Sequence, residues 1–465
     1  MRMKRFSLAI LLVLALLLFG SAMAAEVKFR NVSLHDPSVI KADGTYYFFG
    51  SHMQAATSED LIRYKMFSKL DKCTLQPEYA REFSEALTYA ETGTFWAPDV
   101  IRLRDGRYYM YYCCCEGSKP LAALGLAVSN EPEGPYENVA ILLKSGAPGY
   151  DATKLPNAID PCVFFDASGE RLYMVYGSYS GGIFLLELDP ETGLILEGQE
   201  PYGIHLLGGN HSCIEAPYMI YNPETKYYYL FLSYGGLNAN DGYNIRVCRA
   251  KFPEGPFEDA AGQSMLACKC QPGNFWNNDD IAPYGTKLMG GYLFRPLEGE
   301  NSRKENAIRS PGHNSVLYDE DLGQWILFHH TRFASTGERY ILQARALYFN
   351  EAGWPLISPV RYTPVTEKPS GMTGTFKVLS HGFDVNRMEH VSEAVVFAGN
   401  GTLSGAMTGR YTVTGDVMTI QTEDQVFTGI ALMGYDDVQD SVVPCFTLLS
   451  EKGEALWGIR ATGQE

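Results

Sequence analysis

A chain of 465 residues that is 46% hydrophobic and 13% aromatic has ample material for a packed core, which excludes a disordered protein. A formal charge of −16 disfavours nucleic acid and anionic membrane surfaces as partners and favours a neutral one. The ten cysteines contain no C-x-x-C pair to suggest zinc. Cys113, Cys114 and Cys115 are consecutive and Cys268 and Cys270 lie one residue apart, so they read as small core residues whose pairing the spacing does not reveal.

The chain opens MRMKRFSLAILLVLALLLFGSAMA. Arg2, Lys4 and Arg5 precede an apolar run at 6–20 and an A-x-A site at 22–24, the pattern of a cleaved secretory signal over residues 1–24. The run falls short of the roughly 20 residues a membrane-spanning helix needs. Cleavage removes three positive charges and takes −16 to −19. The mature protein is expected to be exported, to the periplasm or the medium, with no membrane attachment.

From residue 25 an aromatic strand recurs: DGTYYFFGS at 43–51, DGRYYMYYCCC at 105–115, GERLYMVYGSY at 169–179, TKYYYLFLSYGG at 225–236 and GQWILFHHTR at 323–332. Each follows a turn signal and is rich in residues that favour strands. Taking Tyr47, Tyr109, Tyr173, Tyr229 and Ile326 as equivalent, the spacings are 62, 64, 56 and 97, the last lengthened by an insert near 252–310. A β-rich repeat of this length predicts an all-β fold with a five-bladed β-propeller over residues 25–365.

A polar residue stands at nearly constant register ahead of each aromatic strand: Asp36, Asp99, Asp160, Glu215 and His313, at 11, 10, 13, 14 and 13 residues. The first strand of a propeller blade lines the central channel, so four carboxylates and one histidine are expected to converge on one axis. Such a gathering of negative charge is costly unless a cation, proton sharing or a substrate calls for it. The propeller closes near 341–364, TEKPSGMTG at 366–374 reads as a linker, and residues 375–465 alternate apolar and polar in short strands, predicting a small C-terminal β-barrel-like domain.

The pieces HDP (35–37), FWAPD (95–99), NAIDP (157–161), YGSYSGG (176–182), IEAPY (214–218), GTKLMGGYLF (285–294), SPGHNS (310–315), FHHTRF (328–333) and NEAGWPLISPVRY (350–362) resemble, in order, those of glycoside hydrolase family 43 and its secreted endo-acting arabinanases. The resemblance implies hydrolysis of internal α-1,5-L-arabinofuranosidic bonds of arabinan, or of arabino-oligosaccharides, with inversion. Asp36 would be general base, Glu215 general acid, and Asp160 the carboxylate that tunes and orients the acid. His313 would sit beside an axial ion, calcium in many relatives, with waters completing the shell. Calcium prefers 6–8 oxygen ligands, so the ion rests on the resemblance and not on spacing.

Inversion needs an ionised carboxylate to activate water and a protonated one to reach the leaving oxygen, some 6.5–9.5 Å apart, which separate blades can provide. Trp96 reads as a sugar-stacking platform or a core aromatic, Asn157 and Ser178 as partners for sugar hydroxyls or as turn formers, and Arg332 as a sugar contact or the partner of an axial carboxylate. Asp99 reads as structural, bonding backbone amides. His329 and His330 lie on opposite faces of one strand, so at most one points inwards. The rival readings are an exo-acting α-L-arabinofuranosidase or β-xylosidase on the same frame, and a non-catalytic glycan-binding propeller. A monomer is expected.

Overall fold

The computed structural model describes residues 27–68, 82–117, 119–303, 306–365 and 367–463, so the signal expected at 1–24 lies outside the described residues. Four four-stranded antiparallel sheets follow in chain order, spanning Ser38–Ser68, Phe95–Ser145, Cys162–Leu207 and Ile214–Met289. A fifth is built on Ile308–Asp319, Gln324–Phe333, Tyr340–Phe349 and Pro355–Ile357. The first strands of neighbouring sheets pack side by side, and the fifth returns to the first, which closes a ring of five blades. Val32, ahead of the first blade, accepts a backbone hydrogen bond from Leu342 of the fifth at 3.2 Å.

Each aromatic stretch is the second strand of its blade and pairs with the axial strand in front of it. Blades stack on both faces of these strands, so polar alternation disappears: all eight residues of Tyr108–Cys115 are buried. Each fully buried large side chain contributes roughly 1.5–3 kcal/mol. The Asp-Gly signal of the first repeat is a two-residue hairpin loop between the paired Ala42 and Thr45, with Asp43 at φ 48° and Gly44 at φ 78°.

Eight strands between Gly374 and Arg460 form a closed barrel, the first pairing with the last from Phe376↔Arg460 to Ser380↔Leu456. Its outer side is continuous with the propeller: Leu347, Leu356 and Ile357 share one apolar cluster with Leu449 and Trp457. Lys377 of the barrel pairs with Glu300 of the propeller at 3.0 Å with both side chains buried. Nine cysteines are unpaired among the described residues, and all but Cys213 are buried.

Candidate active site

The axial strands do not run straight past the channel. Asp36 and Asp160 have φ 54°, Ala216, directly after Glu215, has φ 55°, and His313 has φ 47°. Residues other than glycine seldom adopt this left-handed backbone, which costs about 1–3 kcal/mol each and collects at functional sites. Ladder pairing also breaks between Glu215 and Tyr218 and on either side of Gly312. These bulges turn side chains that a regular strand would point into a blade face out towards the axis.

Asp36 is buried among donors. The Ser51 hydroxyl donates to its Oδ2, His35 Nδ1 lies 2.9 Å from the same oxygen, and His313 Nδ1 lies 3.1 Å from Oδ1. Burial alone would raise its pKa, but the charges of His313 and His35 and the hydrogen bond of His313 hold it well below the usual carboxylate range. His313 is shifted oppositely: burial lowers it, and the surrounding Asp36, Asp160 and Glu215 carry it up to about 9. His330 Nδ1 accepts the Asp36 amide at 3.3 Å and burial holds the ring neutral, so the 3.4 Å approach of the same nitrogen to Asp36 Oδ1 is not an ion pair.

Glu215 sits in the opposite electrostatic setting. Ser178 donates to Oε2 at 3.0 Å and Tyr243 to Oε1 at 2.7 Å, yet burial raises the pKa against these bonds and against the His313 charge. Asp160 is raised as well, first by burial and then by the charges of Glu215 and Asp36. Its Oδ2 accepts the Ala216 amide at 3.2 Å, so Asp160 holds the backbone that carries Glu215. Two acids are biased towards protonation where one is biased towards ionisation, the division of labour that acid–base chemistry at one bond requires.

Asp36, Asp160, Glu215 and His313 line a single cavity of about 150 Å³, with Trp96, Ser178 and Tyr179 on its walls. Trp96 is half-buried and donates from Nε1 to the Cys115 carbonyl at 2.9 Å. Two expected contacts lie off this wall. Asn157 is buried behind it, accepting from Ser180 at 2.9 Å, with its Nδ2 unpartnered among the described residues. Arg332 turns to Glu338, 3.0 Å from Nε, and lies near the Tyr340 ring. Asp99 is structural: it accepts from Ser38 at 2.6 Å and from the Val163 amide at 2.7 Å, joining three axial strands.

Ser51, Tyr243, His35 and His330 were not singled out by the sequence; the alternation of His329 and His330 allowed at most one of that pair to face inwards, and His330 is the one that reaches Asp36. Tyr243 had one indirect signal. A Cβ on Gly312 would lie 2.1 Å from its ring, so the glycine of SPGHNS is there to let that ring lie against the axial strand.

A cation at the axis would meet a mixed donor set. His313 Nδ1 is engaged by Asp36, leaving its other nitrogen as the candidate ligand. Asn314 Oδ1 and Ser315 Oγ, on the two residues that follow in the chain, are buried without partners among the described residues, as expected of atoms that bind ordered water. A histidine with a water shell therefore fits, provided the imidazole surrenders the proton that the carboxylates stabilise. Among the described residues, His35, Asp36 and His330 also bring ligand-capable atoms within 4.8 Å of one another.

Residues 29–280 match the family described as glycosyl hydrolases family 43, and residues 359–458 match a C-terminal lipocalin-like domain. The chain is 45% identical over 470 residues to the extracellular endo-α-(1→5)-L-arabinanase 2 of Bacillus subtilis, covering 98% of this chain and 99% of that one. It is 40% identical over 453 residues to the extracellular endo-α-(1→5)-L-arabinanase of Thermotoga petrophila, covering 93% and 94%. The crystal structure of the endo-1,5-α-L-arabinanase from Thermotoga petrophila superposes with a TM-score of 0.88, covering 93% of this chain and 99% of that one at 40% identity. A family 43 glycoside hydrolase of Bacillus licheniformis does so with 0.88 at 43% identity, covering 93% and 99%. With nearly its whole length accounted for, from the first blade to the last barrel strand, the chain belongs to glycosyl hydrolases family 43.

Proposed function

We propose that this protein is an endo-1,5-α-L-arabinanase that cleaves internal bonds of arabinan with inversion. One observation carries the catalytic assignment: a single cavity holds one carboxylate biased towards ionisation, Asp36, and another biased towards protonation, Glu215. Asp36 removes a proton from water, the water attacks the anomeric carbon, and Glu215 delivers its proton to the departing glycosidic oxygen. The attacking and leaving groups stand on opposite faces of the sugar, so configuration inverts. Asp160 positions the acid through the Ala216 amide and shares the proton-retaining environment with it. Relatives named endo-arabinanases that align over nearly the whole chain support the substrate and the mode of attack.

Calcium is proposed at His313 with water. Its contribution would be positive charge at the axis, in place of the imidazolium. Chelation should lower both the melting temperature and the activity, and added calcium should restore both. An unchanged melting temperature after exhaustive chelation would remove the ion from the site. Secretion is proposed from the leader and from relatives named extracellular. No helix among the described residues is long and apolar enough to cross a membrane.

The deciding experiment is the product-length distribution from debranched linear arabinan at early times, together with the product anomer by NMR. Mixed oligomers and the inverted anomer are expected. Arabinose alone from the start would make the enzyme exo-acting on the same frame, and absence of any product would turn the reading to xylan-type substrates or to binding without cleavage.

A further inference from the structure

Trp276 and Phe275, in the insert that separates the fourth and fifth aromatic strands, are 48% and 41% exposed. Single exposed apolar side chains are ordinary, but this pair is built in place. Trp276 has φ 64°, a left-handed conformation that a bulky aromatic residue rarely adopts, and its amide donates to the His211 carbonyl at 3.3 Å. Its ring stacks on His211 with centroids 5.0 Å apart and planes 24° from parallel, and Phe275 meets His211 edge-on at 5.3 Å. His211 is itself fixed in a left-handed turn with Asn210, at φ 54° and 52°, and Asn210 is tied to the Thr153 and Cys270 carbonyls at 2.8 Å.

The cluster is continuous with the cavity. Tyr179, whose hydroxyl donates to the Gly235 carbonyl at 2.7 Å, lines the cavity together with Glu215 and meets Trp276 edge-to-face at 6.1 Å. The indole thus stands just beyond the wall that carries the acid. We infer that Trp276, braced by His211, is a stacking platform for a sugar ring of the substrate chain on the leaving-group side of the scissile bond. This inference rests on the reading of function above. The occupant is a neutral furanoside ring, whose C–H face suits an exposed indole and whose hydroxyls stay in water. Glu215 protonates the oxygen of the departing half of the chain, so a ring next to the Glu215 side belongs to that half. A platform there lets the enzyme grip polymer on both sides of the cut, which endo attack requires.

The test compares Trp276→Ala and Trp276→Tyr with the parent protein on linear arabinan and on arabinotriose to arabinohexaose. For Trp276→Ala, kcat/KM should fall about tenfold on arabinan and arabinohexaose, mainly through KM, and only about twofold on arabinotriose; tenfold corresponds to 1.4 kcal/mol. Trp276→Tyr should recover most of the loss, since an aromatic face is kept. Equal loss at every length would mean a structural role, and no loss would mean no contact; either overturns the platform. Calorimetric titration of arabinohexaose into Glu215→Gln, with and without Trp276→Ala, separates this from catalysis: affinity should weaken about tenfold with the second change. If the parent protein cleaves no arabinan, the reading of function fails, while unweakened arabinohexaose binding in this titration overturns the platform by itself.

Discussion

At the scale of single residues, Asp36 and Glu215 are the same kind of acid given different neighbours. Replacing Glu215 by Gln removes the transferable proton and keeps the shape, so kcat on polymer should fall by about 10²–10⁴ with the fold intact. Undiminished turnover would reassign the acid. Tyr243 offers a finer test because its hydroxyl donates to the ionised form of Glu215 and so lowers its pKa. In Tyr243→Phe that lowering is lost, Glu215 keeps its proton to higher pH, and the alkaline limb of the kcat/KM profile should move upwards. A limb that stays in place or moves down would show that another group controls it.

The individual strand carries the next level of control. The three acids were legible in the sequence because each stands beside a proline or a motif at fixed distance from a strand with its own clear pattern. What pairing pattern does not reveal is a backbone that leaves it. The left-handed residues at Asp36, Asp160 and His313 and the bulge after Glu215 aim the side chains, and no local propensity announces them. Tyr243 and His330 were unreadable for a different reason, since His330 reaches the site from the second strand of its blade and Tyr243 from the residue just ahead of a third strand, through contacts distant in the chain. Gly312→Ala should therefore act at a distance: its methyl would displace the Tyr243 ring, cutting kcat while circular dichroism and cooperative melting persist. Asp99→Ala should do the reverse. It strands the Val163 amide and Ser38 hydroxyl in the interior at a cost of about 1–3 kcal/mol, lowering the melting temperature while the surviving folded enzyme keeps its turnover.

For the whole molecule, five blades and the barrel were legible from repeat spacing and alternation, but their dependence on each other was not. The barrel is not a loosely tethered addition. Trp457 is fully buried against Tyr292 of the propeller, with ring centroids 5.3 Å apart, and the Arg345 guanidinium lies near the same indole. Ending the chain at residue 365 would bare that apolar face and strip Glu300 of its barrel partners, the Lys377 ammonium and the Thr462 amide. The truncated protein should melt well below the full chain or fail to stay in solution, and the full chain should show one calorimetric transition. Two well-separated transitions, or a truncated propeller of parental stability, would mean that the units stand alone. The buried thiols carry this coupling into the history of a heated sample. Folded, they are shut away from oxidants and inert. Once the joined blades and barrel come apart in air, eight sequestered sulfurs meet each other at random, and scrambled crosslinks should bar the way back. An enzyme for warm, aerated work would thus be limited by its first excursion out of the native state, with recovery on cooling only where a reductant had kept the sulfurs single.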